Sequence, residues 1–221
     1  MRFTAIGVAG ALLIAAAAAW LWVPAKPAPP SIEQPTPVHE SVSAGLPAEA
    51  VKGRDILTKA QLDQALVSGI LDRRVKSLLA VDKPLQFGDF VWNDTAIPAG
   101  TTWIRIDLGT QLISVFRDGH EIGTSVIVYG GDNKQTPGGK FHILAKDKDH
   151  RSSLYDAAMP YTLQLTGDGV SIHGSVVRWG AATHGCIGVP LEFARRLFDE
   201  AKVGDEVIIV PVSRNAAAAT S

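Results

Sequence analysis

From Trp103 onward the apolar residues recur at every second position, and that period restricts the fold to one built mainly of extended strands. "WIRIDLG" sets Ile104, Ile106 and Leu108 on one face of an extended segment. "QLISVFRDGHEIGTSVIVYGG" continues the pattern and breaks at Asp118-Gly119, a dipeptide suited to a two-residue hairpin turn, so two antiparallel strands are expected there. "TPGGKFHIL" predicts a turn and a strand, "YTLQL" and "GVSIHG" predict two more, and "DEVIIV" predicts a closing strand. One helix interrupts the series. Pro190 suits its N1 position, Leu191, Ala194, Leu197, Phe198 and Ala201 align at helical spacing over roughly Leu191 to Lys202, and Gly204 ends it. The expected fold is therefore mainly β and mostly antiparallel, with one helix after the lone cysteine.

The residues before Trp103 divide by composition. Residues 1–23 begin with Arg2 and then run uncharged from Phe3 to Val23. As a helix that run measures about 31 Å, close to the ~30 Å of a bilayer core. Trp20 and Trp22 fall near its far end, where amphipathic rings favour the membrane interface. Two readings stand: a retained membrane anchor, and a signal peptide cleaved near the small residues Ala17 to Ala19. Either places the rest of the chain outside the cytoplasm, in the cell envelope. Residues 24–45 are rich in proline, which blocks helix and sheet ladders, and are expected to be an extended linker. Residues 46–100 are expected to form a small helical region. There Thr58 and Gln61 fit a capping box, Leu57 and Leu62 fit its hydrophobic staple, and Ala65 and Leu66 follow Leu62 on one face. Asp72 is expected to cap a second short helix carrying Val75, Leu78 and Leu79. Residues 101–212 hold the β domain, and residues 213–221 are expected to be a disordered tail.

Charge removes some functions. The chain has 21 basic and 22 acidic residues for a net charge of −1, so it carries no overall electrostatic footprint for nucleic acid. No CxxC or HExxH spacing is present, and no metal is called for. The one cysteine, Cys186, cannot form an intramolecular disulfide. It lies in "ATHGCIGVP", two residues after His184 and thirteen after His173 of "SIHGS". A thiol becomes a useful nucleophile when a base or cation favours its thiolate, and these two histidines are the available helpers. Glycines 174, 180, 185 and 188 reduce crowding around it, and amides near Gly185 and Cys186 are placed to face a developing oxyanion. Local chemistry alone leaves two readings, a nucleophile and a buried structural thiol.

The stretch "HG…THGCIGVP" resembles the active-site signature of L,D-transpeptidases of the YkuD type, in which an upstream HG precedes an [S/T]HGC. The resemblance extends through "WIRIDLGTQLISVFRDG", "VIVYGG", "TPGGKF", "MPYTLQL" and "VGDEVIIV", covering about Trp103 to Val212. It implies the family's β-rich fold and an acyl transfer on peptidoglycan stem peptides through a cysteine thioester, with no metal or organic cofactor. Residue by residue, it implies Cys186 as nucleophile and His173 as general base. His184 and Gly185 correspond to supporting residues around the oxyanion site, Thr183 fills the Ser/Thr position, and the Gly174 carbonyl is expected to orient the His173 ring. Tyr161 and Trp179 are candidate substrate-binding cleft walls. Lys146 to Ala158 reads either as a lid or as a solvated loop.

Three other readings stay open or are weighed. Water could resolve the same thioester, giving an L,D-carboxypeptidase or endopeptidase, or the domain could be a non-catalytic wall-binding module. A cysteine peptidase of NlpC/P60 type places its cysteine before its histidine, which is the reverse of the order here. Two departures from the family pattern stand out. Many members read HGC-hydrophobic-Arg where this chain has Gly188, and the interval from His173 to Cys186 is short. The flanking glycines suggest that Gly188 is needed for a backbone conformation with positive φ.

Overall fold

The computed structural model describes residues 46–131, 134–152 and 156–212, so the anchor, linker and tail expected at 1–45 and 213–221 lie outside the described residues. Among the described residues no helix is long and apolar enough to cross a membrane. In chain order the first elements are α1 (Ala48–Val51), β1 (Arg54–Asp55), α2 (Lys59–Val67), β2 (Leu78–Leu79) and β3 (Phe90–Trp92). The β domain continues with β4 (Thr102–Asp107), β5 (Leu112–Arg117), β6 (His120–Val126), β7 (Gly139–His142) and β8 (Ala145–Asp147). It closes with β9 (Thr162–Gln164), β10 (Ser171–Gly174), β11 (Ile187–Val189), α3 (Leu191–Glu200) and β12 (Glu206–Val210).

The main sheet has the order β3-β6-β5-β4-β12-β7, a second has β11-β10-β9-β8, and β1 pairs with β2. Pairing is antiparallel except for β4 with β12 and β10 with β11. The β5–β6 hairpin turns where the sequence predicts: Arg117 pairs with His120, and Asp118 and Gly119 have φ of 49° and 79°. Both central residues are left-handed, the conformation that matches the twist of the flanking strands.

The alternation in β4 does not produce one wet face. Ile104 and Ile106 face a core shared with Ile113, Val115, Val207 and Ile209 and with Phe193 and Leu197 of α3. On the other face Trp103, Phe116 and Ile208 are buried under Leu62, Leu71 and Val75. Trp103 stacks on Phe116 with centroids 4.2 Å apart, and the Arg73 guanidinium lies 4.4 Å from the Trp103 ring. The residues preceding the β domain thus roof the outer face of its main sheet.

Helix α2 starts as expected. The Thr58 hydroxyl accepts from the Gln61 amide, Gln61 Oε1 accepts from the Thr58 amide at 2.9 Å, and Leu57 and Leu62 join the same apolar cluster. The helix expected from Asp72 does not form. The Asp72 carboxylate accepts from Arg105 Nε at 2.8 Å, the Lys76 amide donates to the Gly119 carbonyl at 2.7 Å, and Leu78–Leu79 form β2. Backbone partners on the β5–β6 hairpin outweigh local helix preference there. The region 46–100 also supplies β3 to the edge of the main sheet, so it is not purely helical. At α3, Pro190 is the cap and not the first helical residue: its ψ is 142° and its carbonyl accepts from the Ala194 amide at 2.8 Å. The helix closes at Ala201, and Gly204 serves the turn before β12, its amide bonded to the Ile143 carbonyl.

Candidate active site

Strands β10 and β11 are parallel, with Ile172 opposite Ile187, His173 opposite Gly188 and Gly174 opposite Val189. Register partners share a face, and side chains alternate along each strand. One step before β11, Cys186 therefore falls opposite Ser171, on the face that also carries His173 and Ser175. All four line one cavity of about 690 Å³, together with Thr183 and His184.

His173 is 8% exposed, and its Nδ1 lies 3.0 Å from the Gly174 carbonyl oxygen. A carbonyl only accepts, so Nδ1 carries the proton and Nε2 of the neutral ring keeps its lone pair. Burial lowers the His173 pKa below the usual imidazole value, outweighing the Gly174 hydrogen bond that raises it. Cys186 is half-buried, and its thiol is 3.5 Å from the Gly169 carbonyl, to which it donates. Burial pushes this thiol up, the Ser171 amide and Lys134 pull it back in part, and Asp168 pushes it further up. Both shifts favour the uncharged forms, an imidazole and a thiol, so a proton would have to move as the sulfur attacked.

Two hydroxyls brace the turn before β11. Thr183 Oγ1 donates to the Cys186 carbonyl at 2.5 Å. Thr136 Oγ1 donates to the Gly185 carbonyl at 3.0 Å and accepts from the Gly130 amide at 2.9 Å. The Gly185–Cys186 peptide is trans, so with the Gly185 carbonyl held toward Thr136 the Cys186 amide points the opposite way. Thr136 is buried, and Thr136→Val would leave a buried donor and a buried acceptor unpaired. The expected cost is about 1–3 kcal/mol per stranded group, read as a lower midpoint in urea melts, with a matching loss of activity as the turn relaxes.

Of the other expected site residues, His184 is exposed on the cavity wall and Gly185 is buried with φ of +98°. Gly174 meets His173 through its carbonyl, as described. Tyr161 and Trp179 do not line this cavity. The Tyr161 ring packs edge-on against Phe198 at 5.7 Å, and Trp179 is 81% exposed with its ring against Phe87 at 5.6 Å.

Gly188 corrects a second expectation. Its φ is not positive; it lies within β11, extended and fully paired to Val128 through bonds of 2.8 and 2.9 Å. The glycine is required by space instead. A Cβ there would lie 2.7 Å from Val128 Cγ2 and 2.8 Å from Ser175 Cβ. Val128 and Ser175 occupy the room that a longer side chain would need. Gly188→Arg is therefore expected to lower stability by about 1–3 kcal/mol through overpacking, with no gain in peptide affinity. A variant with unchanged melting temperature and a lower Michaelis constant would contradict this.

Several cavity residues were not singled out from sequence. Lys134, Asp147, His150, Asp168 and Ser171 also line it. His150 and Asp147 sit in the charged stretch read as a lid or solvated loop, whose first residues form β8 against β9. Thr136 belongs to "TPGGKF", a motif whose bonding role is invisible until β11 is placed beside it.

Residues 101–209 match the family model for YkuD, the L,D-transpeptidase catalytic domain. L,D-transpeptidase 1 of Mycobacterium tuberculosis is 29% identical over 120 residues, covering 47% of this chain and 48% of that protein. The chain thus spans about half the length of the curated relatives it matches. Among solved structures, an L,D-transpeptidase from Mycobacterium smegmatis shares 19% identity at a TM-score of 0.48, covering 59% of this chain and 81% of that one. The M. tuberculosis L,D-transpeptidase 1 structure shares 23% identity at a TM-score of 0.46, covering 50% and 62%.

Proposed function

We propose that this chain is a peptidoglycan L,D-transpeptidase acting outside the cytoplasm through a Cys186 thioester. The observation that carries the reading is the His173–Cys186 arrangement: one cavity, one sheet face, and a base whose proton is committed to the Gly174 carbonyl. In the first step His173 Nε2 takes the thiol proton as Sγ attacks the carbonyl at the L-centre of the third residue of a stem peptide. The Cys186 amide, turned away from Thr136, is the proposed oxyanion donor, with His184, Gly185 and Thr183 shaping the turn. Collapse breaks the peptide bond, the terminal D-amino acid leaves with the proton from His173, and a thioester remains. An amine from a second stem then attacks, forming the cross-link and releasing the thiol. Residues 1–23 are proposed to tether or export the domain, with 24–45 as spacer.

Mass spectrometry of purified muropeptides incubated with the full chain tests the reading. Cross-linked dimers with released D-amino acid are expected. Trimmed monomers alone would assign a carboxypeptidase, and unchanged muropeptides would leave a binding module.

A further inference from the structure

The protons of the second half-reaction do not balance with His173 alone. After acylation His173 has given its proton to the departing amine and is neutral again. An alkyl amine has a pKa of about 10, so it reaches the cavity as an ammonium. It must shed two protons to become an amide, while the departing Cys186 sulfur takes back only one. One surplus proton must leave the site for each bond made.

A second imidazole lines the same cavity. His150 follows β8 and is pinned by its own carbonyl, which accepts from the Met159 amide at 2.9 Å. Its Nδ1 lies 3.1 Å from Asp147 Oδ2, and Asp147 Oδ1 accepts from the Asp149 amide at 3.2 Å. The carboxylate is thereby held on both oxygens. It only accepts, so it directs the His150 proton to Nδ1 and leaves Nε2 as the basic atom. A protonated His150 would lie near enough to His173 to depress that ring further, after burial has done so. The two imidazoles differ in access to water: the His150 side chain is 39% exposed, whereas His173 is 8% exposed. His150 is thus able to pass a proton to solvent.

The other groups on the wall suit this task less well. The Lys134 side chain offers donors and no acceptor. The Asp168 carboxylate is held below its usual range, chiefly by the Thr166 hydroxyl, and is a weak base.

We propose that His150, oriented by Asp147, removes the surplus proton from the charged acceptor amine and is a catalytic residue of the second half-reaction. The assignment rests on the reading of Cys186 as the acyl carrier. The ammonium gives one proton to His150 Nε2, where Asp147 stabilises the imidazolium. The freed lone pair attacks the thioester carbon, the C–S bond breaks, and the second amine proton reaches Sγ through His173. His150 then releases its proton to water.

The test compares acceptors in the full chain, using a stem tetrapeptide as donor. His150→Gln should keep the burst of released D-amino acid within about twofold of the parent. Transfer to a charged alkyl amine should fall on the order of 10²-fold, while transfer to hydroxylamine, which is neutral at pH 7, should be spared. Asp147→Asn should show the same selectivity to a smaller degree. Equal losses with both acceptors, loss of the burst, or unchanged transfer to the alkyl amine would each overturn the proposal. A parent enzyme that shows neither burst nor acyl adduct would instead remove the nucleophile reading beneath it.

Discussion

Cys186→Ala is expected to abolish turnover and covalent capture together. The sulfur is the only atom in the cavity proposed to bond the acyl group, so nothing remains to form a thioester. Intact-mass measurement with a carbapenem, the inhibitor class that the family resemblance implies, should show the adduct on the parent and none on the alanine variant. Cys186→Ser should be equally silent, because a hydroxyl beside a neutral imidazole is far harder to deprotonate than a thiol. Neither change should alter stability by more than about 1 kcal/mol, since the thiol makes one long bond to the Gly169 carbonyl. An adduct on the alanine variant would sink the assignment.

Removing the base should slow acylation without preventing it. His173→Ala is expected to cost ~10²–10⁴-fold, the usual range for a lost general base. His184→Ala should cost less, through turn geometry rather than proton transfer. The pH profile separates the two. Burial lowers the His173 pKa, so the ring stays a base at pH values where a free imidazole, at about 6.5, is half protonated. The acid limb of kcat/KM should therefore lie below pH ~6.5 in the parent and vanish in His173→Ala. The raised thiol of Cys186 predicts that the residual rate of that variant climbs with pH into the alkaline range. If His173→Ala kept near-full acylation while His184→Ala was inactive, the base would be the other ring.

Local signals carried the parts of the fold that rest on local chemistry. Asp118-Gly119 favours a tight hairpin turn and Thr58 with Gln61 favours a helix start, so both were legible. Asp72 looked like another cap, but its carboxylate is taken by Arg105, thirty-three residues on, and no pattern within one window reveals such a partner. Strand β11 escaped notice because three residues after a cysteine show no period. Once its pairing is known, it explains Gly188, where the constraint is the volume of Val128 and Ser175 and not a dihedral angle. Motif order brought Cys186 and His173 forward as candidates, whereas it pointed to none of Thr136, Asp147 and His150. Their placement at or beside the cavity depends on hydrogen bonds and walls that only the folded chain assembles.

The parallel pairing of β10 with β11 also bears on the short interval between His173 and Cys186. Adjacent strands in register set the separation of the proposed base and sulfur, the Thr183–Gly185 turn braces Cys186, and residues 176–182 join the two. Chain length in that connection is thus uncoupled from the chemistry. A loop grafted from a longer relative, or trimmed in the laboratory, would leave Sγ and the imidazole where the ladder holds them. What would change is the rim that an arriving peptide must pass, so this segment offers a place to alter substrate range while leaving the reacting atoms untouched.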